Sequence, residues 1–197
     1  MTYDTPASEG DRVLAGLNYL YLLLMMAVIA GILTAAMSMQ YADGELPCPL
    51  CLLQRVGLFG VCLGIMLNFR HGFSYRNIGV SMLFSIFLLI VSVRQTLLDI
   101  YPRPGHDYVG TAVFGLHMPV WSIVIAVALL TSFAIELAVF GGNQDLRKTG
   151  ADAFPALDRL AGILSLYVIA LCAINLVSVI LQCGLGQCHT FGYTLLQ

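Results

Sequence analysis

The residues best suited to chemistry in this chain are its cysteines, Cys48, Cys51, Cys62, Cys172, Cys183 and Cys188, four of which form two close pairs. Cys48-Pro-Leu-Cys51 opens one long apolar stretch, and Cys183-Gly-Leu-Gly-Gln-Cys188 closes another. A Cys-x-x-Cys at a helix start suits thiol–disulfide exchange. The free N–H groups and the helix dipole there stabilise a thiolate, which is the species that attacks a disulfide. Pro47 and Pro49 restrict the backbone that leads into the helix. The tail pair closes a short ring, to which the chain-entropy relation assigns only about 2 kcal/mol, and Gly184 and Gly186 keep it pliable. Either pair taken alone also fits a static clip. Cys62 shares a helix face with Cys51 but lies about 16 Å deeper at a rise of about 1.5 Å per residue, out of bonding reach. It and Cys172 are expected to be buried packing thiols.

Arg55 follows Cys51 by one helical turn, so a fixed cation sits below the inner thiol, able to hold a thiolate or the carbonyl of a ligand. An arginine at a helix end can instead snorkel to the interface. Two metal readings and one bland reading stand beside the redox one. Cys183, Cys188 and His189 form a lengthened version of the Cys-x-x-Cys-His haem-attachment motif. The four paired cysteines together have the donor set of a zinc site. In a non-enzymatic accessory membrane subunit, both disulfides would only staple loops.

These residues need elements to hold them, and composition says what kind. The chain has 197 residues, 59% hydrophobic and 10% charged, with a formal net charge of -2. A soluble domain carries about 25% charged residues, and nucleic-acid binding requires a basic field; neither class fits. A mean hydropathy of +0.87 points to an integral membrane protein built as a single domain over 1–197. A hydrocarbon core about 30 Å thick takes about 20 apolar residues per helix, and five stretches are long enough: 13–39, 51–69, 77–98, 119–140 and 160–181. The expected fold class is therefore all-α, a bundle of five transmembrane helices in a lipid bilayer. The first apolar run is too long for a signal peptide and reads as a retained anchor.

Orientation follows from the basic residues. With a cytoplasmic amino terminus, Arg12, Arg70, Arg76, Arg147, Lys148 and Arg159 collect on that side, against Arg55, Arg94 and Arg103 on the other. Both cysteine pairs then face outward, in a compartment that permits disulfides. Asn175, Ser178 and Gln182 share one face of the fifth helix, and Gly60 and Gly64 give the second a close-approach face; both features suit interhelical packing. Glu136 lies one turn from a helix end, where it can snorkel, and Trp121 is expected in an outer aromatic belt with Tyr101, Tyr108 and Tyr193.

The stretch Cys48-Pro-Leu-Cys-Leu-Leu-Gln-Arg55 strongly resembles the active-site motif of the DsbB family, membrane enzymes that reoxidise the periplasmic thiol oxidase DsbA with quinone. Tyr101-Pro102 and Gly115-Leu-His-Met-Pro-Val-Trp121 look like the borders of that family's third loop. The resemblance implies a four-helix core and a bacterial inner-membrane location, with the amino terminus cytoplasmic and the tail periplasmic. It implies a quinone (ubiquinone or menaquinone) as electron acceptor and a DsbA-like thioredoxin-fold partner. Cys48 and Cys51 would be the catalytic pair, with Cys51 facing the quinone. Arg55 matches the quinone-supporting arginine, Arg94 and Gln95 fall where the family places further residues around the quinone, and His117, in the family-like Gly-Leu-His-Met-Pro stretch, would either border the quinone mouth or mark the entry to a helix. Gln54 stands where some members have an acid, so no proton-transfer role is expected of it.

The departure is the second pair. Family members carry it between the third and fourth helices, whereas 99–118 contains no cysteine here, and the pair Cys183/Cys188 follows an additional fifth helix. The chemistry is kept only if the tail does the work of that loop, which requires the fifth helix to end beside the start of the second.

Overall fold

A computed structural model describes residues 9–42, 44, 46–100, 115–141 and 149–184. Five helices follow one another: α1 (Glu9–Ala42), α2 (Pro49–His71), α3 (Tyr75–Ile100), α4 (Met118–Phe140) and α5 (Pro155–Cys183), with a short 3-10 turn at Ala151–Ala153 before α5. All five are long and apolar enough to cross a membrane, and each contains the corresponding predicted span. The helices overrun the spans by up to five residues because helical hydrogen bonding continues past the apolar run until a cap or a glycine stops it.

The starts of α2, α4 and α5 are set by proline in the first turn, where its missing N–H costs nothing. Cys48 is the N-cap of α2: its backbone is extended (φ -70°, ψ 160°), and its sulfur accepts the N–H of Cys51 at 3.1 Å. Gly72, at φ 80°, ends α2 in a left-handed conformation that favours glycine. The turn into α3 is braced by Asn68, whose Oδ1 accepts from the N–H of Ser74 at 2.9 Å.

In a bilayer the lipid is as apolar as a core, so helices associate through small residues and interhelical hydrogen bonds. The α2–α3 pair shows both. A Cβ on Gly60 would collide with the ring of Phe84, one on Gly64 with Ser81 and the carbonyl of Asn77, and one on Gly57 would press on Leu88. Ser81 also donates to the carbonyl of Val61 at 3.0 Å. Between α1 and α4, the Tyr21 hydroxyl donates to the carbonyl of Ser132 at 3.0 Å. The buried core runs through Tyr19, Leu22, Met26, Ile29 and Leu33 of α1, Ile65 of α2 and Phe133 of α4.

Contacts between termini establish alternating directions. The start of α1 meets the end of α2 and the approach to α5 through Tyr19, which packs on Phe69 and Phe154. The end of α1 meets the end of α5 through Tyr41 and Ser178, which share a hydrogen bond. One end of the bundle thus gathers the end of α1, the start of α2, the end of α3, the start of α4 and the end of α5.

Two expectations are corrected here. Cys172 is exposed on the outer face of α5, whereas Cys62 is buried as expected. Glu136 does not snorkel; it is 1% exposed, and neither carboxylate oxygen has a hydrogen-bond partner among the described residues. Position along a helix was readable for both residues, but the direction each side chain takes depends on how the helices rotate against one another.

Candidate functional site

The end of the bundle defined by these contacts brings four helices around one disulfide. Cys48 and Cys51 are bonded, with Cα atoms 5.0 Å apart, at the first turn of α2. Their surroundings differ. Cys48 is buried at the N-cap, whereas Cys51 opens on a cavity of about 410 Å³. Gln95, from the last turns of α3, donates from Nε2 to both sulfurs, at 3.3 Å to Cys48 and 3.4 Å to Cys51. Its Oε1 accepts from Gln54 Nε2 at 2.9 Å, and Gln54 Oε1 accepts from the Ser122 hydroxyl of α4 at 3.1 Å. A relay of neutral donors and acceptors therefore ties α4, α2 and α3 to the two sulfurs. When the disulfide opens, the Cys51 N–H and the Gln95 amide are already directed at sulfur, where negative charge appears.

The cavity is bounded by α1 (Ile32, Ala36, Met39), α2 (Cys51, Gln54, Arg55), Leu88 of α3 and α4 (Met118, Trp121, Ser122, Ile125). Its wall is mainly apolar with a few polar groups converging at one end, and its volume lies within the range of about 300–1,000 Å³ usual for small-molecule sites. Arg55 does not snorkel to the interface; it is 7% exposed. Its Nη1 donates to Gln40 Oε1 at 2.6 Å, to Asn175 Oδ1 at 3.2 Å and to Met37 Sδ at 3.3 Å, and its Nη2 donates to the carbonyl of Ala36 at 2.9 Å. Acceptors from α1 and α5 thus hold the guanidinium at the cavity wall.

The end of α5 reaches the first pair's side of the bundle. Gln182, fully buried, donates from Nε2 to the carbonyl of Pro47 at 2.9 Å. Pro47 precedes Cys48 in sequence and Gln182 precedes Cys183, so the requirement that α5 end beside the start of α2 is met. Cys183 is itself disulfide-bonded and 7% exposed; Cys188 and His189 lie outside the described residues, as do Tyr101, Pro102, Tyr108 and Tyr193.

Of the other residues singled out in the sequence, Gln95 touches the sulfurs, whereas the structure does not bring Arg94 or His117 to the cavity. Arg94 is exposed on the outer face of α3, about 100° around the helix from Gln95. His117 is the exposed N-cap of α4, adjacent to the cavity-lining Met118. Sequence reasoning missed Gln40 and Ser122, named Gln54 without giving it a role, and placed Trp121 in a belt rather than on the cavity wall. The available signal was a carboxamide or hydroxyl on an otherwise apolar helix, near the end that carries the cysteines.

A family model described as disulfide bond formation protein DsbB matches residues 18–107. Curated relatives carry the same name. Disulfide bond formation protein B of Marinobacter nauticus is 35% identical over 111 residues, 54% of this chain and 66% of the relative. That of Nitrosomonas europaea is 38% identical over 85 residues, 41% of this chain and 52% of the relative.

The chain belongs to the DsbB family.

A more distant DsbB relative, from Cupriavidus metallidurans, is 26% identical over 150 residues, covering 59% of this chain and 91% of the relative. The chain spans about half to two thirds of the length of the first two DsbB relatives. No solved structure matches it. The family match runs from Asn18 within α1 past the end of α3 and so includes Cys48, Cys51, Arg55 and Gln95, while α4, α5 and the second cysteine pair lie beyond it.

Proposed function

We propose that this DsbB-family protein is a membrane thiol:quinone oxidoreductase that reoxidises a DsbA-like thioredoxin-fold oxidase. In this reading it lies in the bacterial inner membrane with its amino terminus cytoplasmic and both cysteine pairs periplasmic. The observation that carries the proposal is the Gln182 to Pro47 hydrogen bond of 2.9 Å, which joins the residue before Cys183 to the residue before Cys48, while Cys51 lines the cavity.

Electrons move by exchange, and each step passes through a mixed disulfide. A thiolate of the reduced partner attacks the Cys183–Cys188 disulfide. The partner's second thiol then resolves the mixed disulfide, leaving the partner oxidised and the tail pair reduced. A tail thiolate next attacks Cys48, and Cys51 leaves as the thiolate facing the cavity. The other tail thiol restores the tail disulfide and frees Cys48.

The cavity fits a quinone: an apolar pocket with Arg55 and Gln54 in its wall suits a ring carrying two carbonyl oxygens, and Trp121 supplies an aromatic wall. Arg55, Gln54, Trp121 and Cys51 would hold it. A bound quinone accepts two electrons and two protons per turnover, matching what the partner dithiol loses, and carries them into the lipid. Around it, Arg55 orients the ring, Gln95 holds both sulfurs in register, and the apolar wall excludes water from the thiolate. Cys183 in a disulfide offers neither a thioether to haem nor a thiolate to zinc, which favours the exchange reading of the tail.

Cys51→Ser is expected to abolish quinone-dependent oxidation of a reduced thioredoxin-fold substrate by the reconstituted protein. Cys183→Ser and Cys188→Ser, each mixed with that reduced substrate, are expected to differ, one trapping a mixed disulfide on non-reducing gels. Full turnover by both tail variants, with no trapped species, removes the tail from the pathway; unchanged turnover by Cys51→Ser leaves only the accessory reading.

A further inference from the structure

Side-chain hydrogen bonds tie the fifth helix both to the approach to α2 and to α2 itself, and only the first adjoins the cysteines. Gln182 bonds to Pro47, and seven residues earlier Asn175, 4% exposed, presents Oδ1 to Arg55 Nη1 at 3.2 Å. These points lie about 10 Å apart along α5; opposite them, Arg55 lies about 9 Å along α2 from its first residue, Pro49, at a rise of about 1.5 Å per residue, and Pro47 stands two residues before that start. The two polar contacts are therefore in register. They bracket the segment that carries Cys48, Cys51, Gln54 and Arg55. Between them Ser178 bonds to Tyr41 of α1, so each residue of the polar stripe of α5 makes an interhelical hydrogen bond.

The other acceptors on Arg55 come from α1: Gln40, the carbonyl of Ala36 and Met37. A guanidinium is planar and its donors are fixed in a fork, so acceptors on different helices set the direction of that plane. Among the described residues, Asn175 is the acceptor that α5 contributes. Arg55 and Gln40 line the cavity whereas Asn175 does not. Asn175 can therefore act on a cavity ligand only through Arg55.

Resting on the thiol:quinone reading above, we infer that α5 is part of the acceptor site and that Asn175 is a positioning residue for the Arg55 guanidinium. The helix that delivers the second disulfide to Cys48 also sets the cation on which the quinone carbonyl rests. The same helix thus serves both the donor and the acceptor ends of Cys48–Cys51.

The chain's single tryptophan, Trp121, lines the cavity, so binding can be read without turnover. The probe is ubiquinone with one isoprene unit, titrated against the full-length protein in lipid nanodiscs while Trp121 fluorescence quenching is followed. Asn175→Leu and the smaller Asn175→Ala are expected to weaken the Kd about tenfold, the scale of one lost hydrogen bond to a charged group. Asn175→Asp, which keeps an oxygen acceptor at the same place, is expected to bind within twofold of the unaltered protein. Leu176→Ala, on the exposed face of α5, is expected to change nothing. In turnover with the same quinone, the Leu and Ala variants are expected to raise KM about tenfold while kcat at saturation stays within twofold.

Unchanged Kd in both Asn175→Leu and Asn175→Ala overturns the inference and leaves the quinone reading intact. Equal weakening in Asn175→Asp also overturns it, because an acceptor oxygen is then not the property that matters. Absence of saturable Trp121 quenching in the unaltered protein overturns the quinone reading of the cavity, and the inference with it.

Discussion

Replacing Gln182 by leucine removes the one described side-chain bond between the end of α5 and the approach to α2 while conserving most of the volume. Gln182 is fully buried, and its Nε2 lies 2.9 Å from the carbonyl of Pro47. Interhelical hydrogen bonds in membranes contribute about 0.6 kcal/mol on average and about 1.7 kcal/mol at most. If docking of the tail beside Cys48 limits exchange, the rate of quinone-dependent oxidation of a thioredoxin-fold dithiol should therefore fall about threefold to twentyfold. Folding should be little affected, since α5 is also held by its contacts with α1, among them Tyr41 to Ser178. The decisive comparison uses a protein in which Cys183 and Cys188 are both serine. There a small dithiol must reduce Cys48–Cys51 directly, and Gln182→Leu should have no effect on its oxidation. An equal loss in that background would show that the bond supports the Cys48 segment itself, and no loss in the complete protein would show that docking is not rate-determining. Either result refutes the reasoning that α5 works by presenting the tail.

Three further outcomes follow from packing and burial. Gly64→Leu should prevent α3 from approaching α2, because even a Cβ there collides with Ser81 and the Asn77 carbonyl; yield of folded protein and melting temperature should both drop, and a normal melting curve would contradict the packing. Glu136→Leu should leave stability unchanged or raise it by about 1–3 kcal/mol, since it removes a buried carboxyl group that has no hydrogen-bond partner among the described residues. A lowered melting temperature for that variant would mean that Glu136 has a partner outside the described residues. Cys172 should react with a membrane-permeant maleimide in the folded protein while Cys62 reacts only after denaturation, and mass spectrometry of labelled peptides would expose the reverse order.

Much of this architecture was legible in the residues because a bilayer leaves few choices. A segment that crosses hydrocarbon must satisfy its backbone internally, so an apolar run of sufficient length is a helix, and its ends follow from proline, glycine and charge. This is why the five spans were readable, why the Cys-x-x-Cys falls at a helix start, and why Arg55 lies one turn beyond it. The small-residue face of α2 was readable for the same reason, since Gly60 and Gly64 have little purpose other than close approach.

Rotation of each helix about its axis was not legible. In water an apolar stripe shows which face is buried, but in lipid both faces of a helix are apolar and the stripe disappears. Cys172 therefore turned outward and Glu136 inward against expectation, and Trp121 became a wall of the cavity. The same indeterminacy hid the partners of Arg55. Gln40 precedes it by fifteen residues and Asn175 follows it by 120, and no local rule joins them. The sequence by itself determined that two cysteine pairs would sit at the ends of membrane helices. Tertiary packing alone decided that those ends meet, because the match between the polar stripe of α5 and the first turns of α2 exists only once both helices are docked.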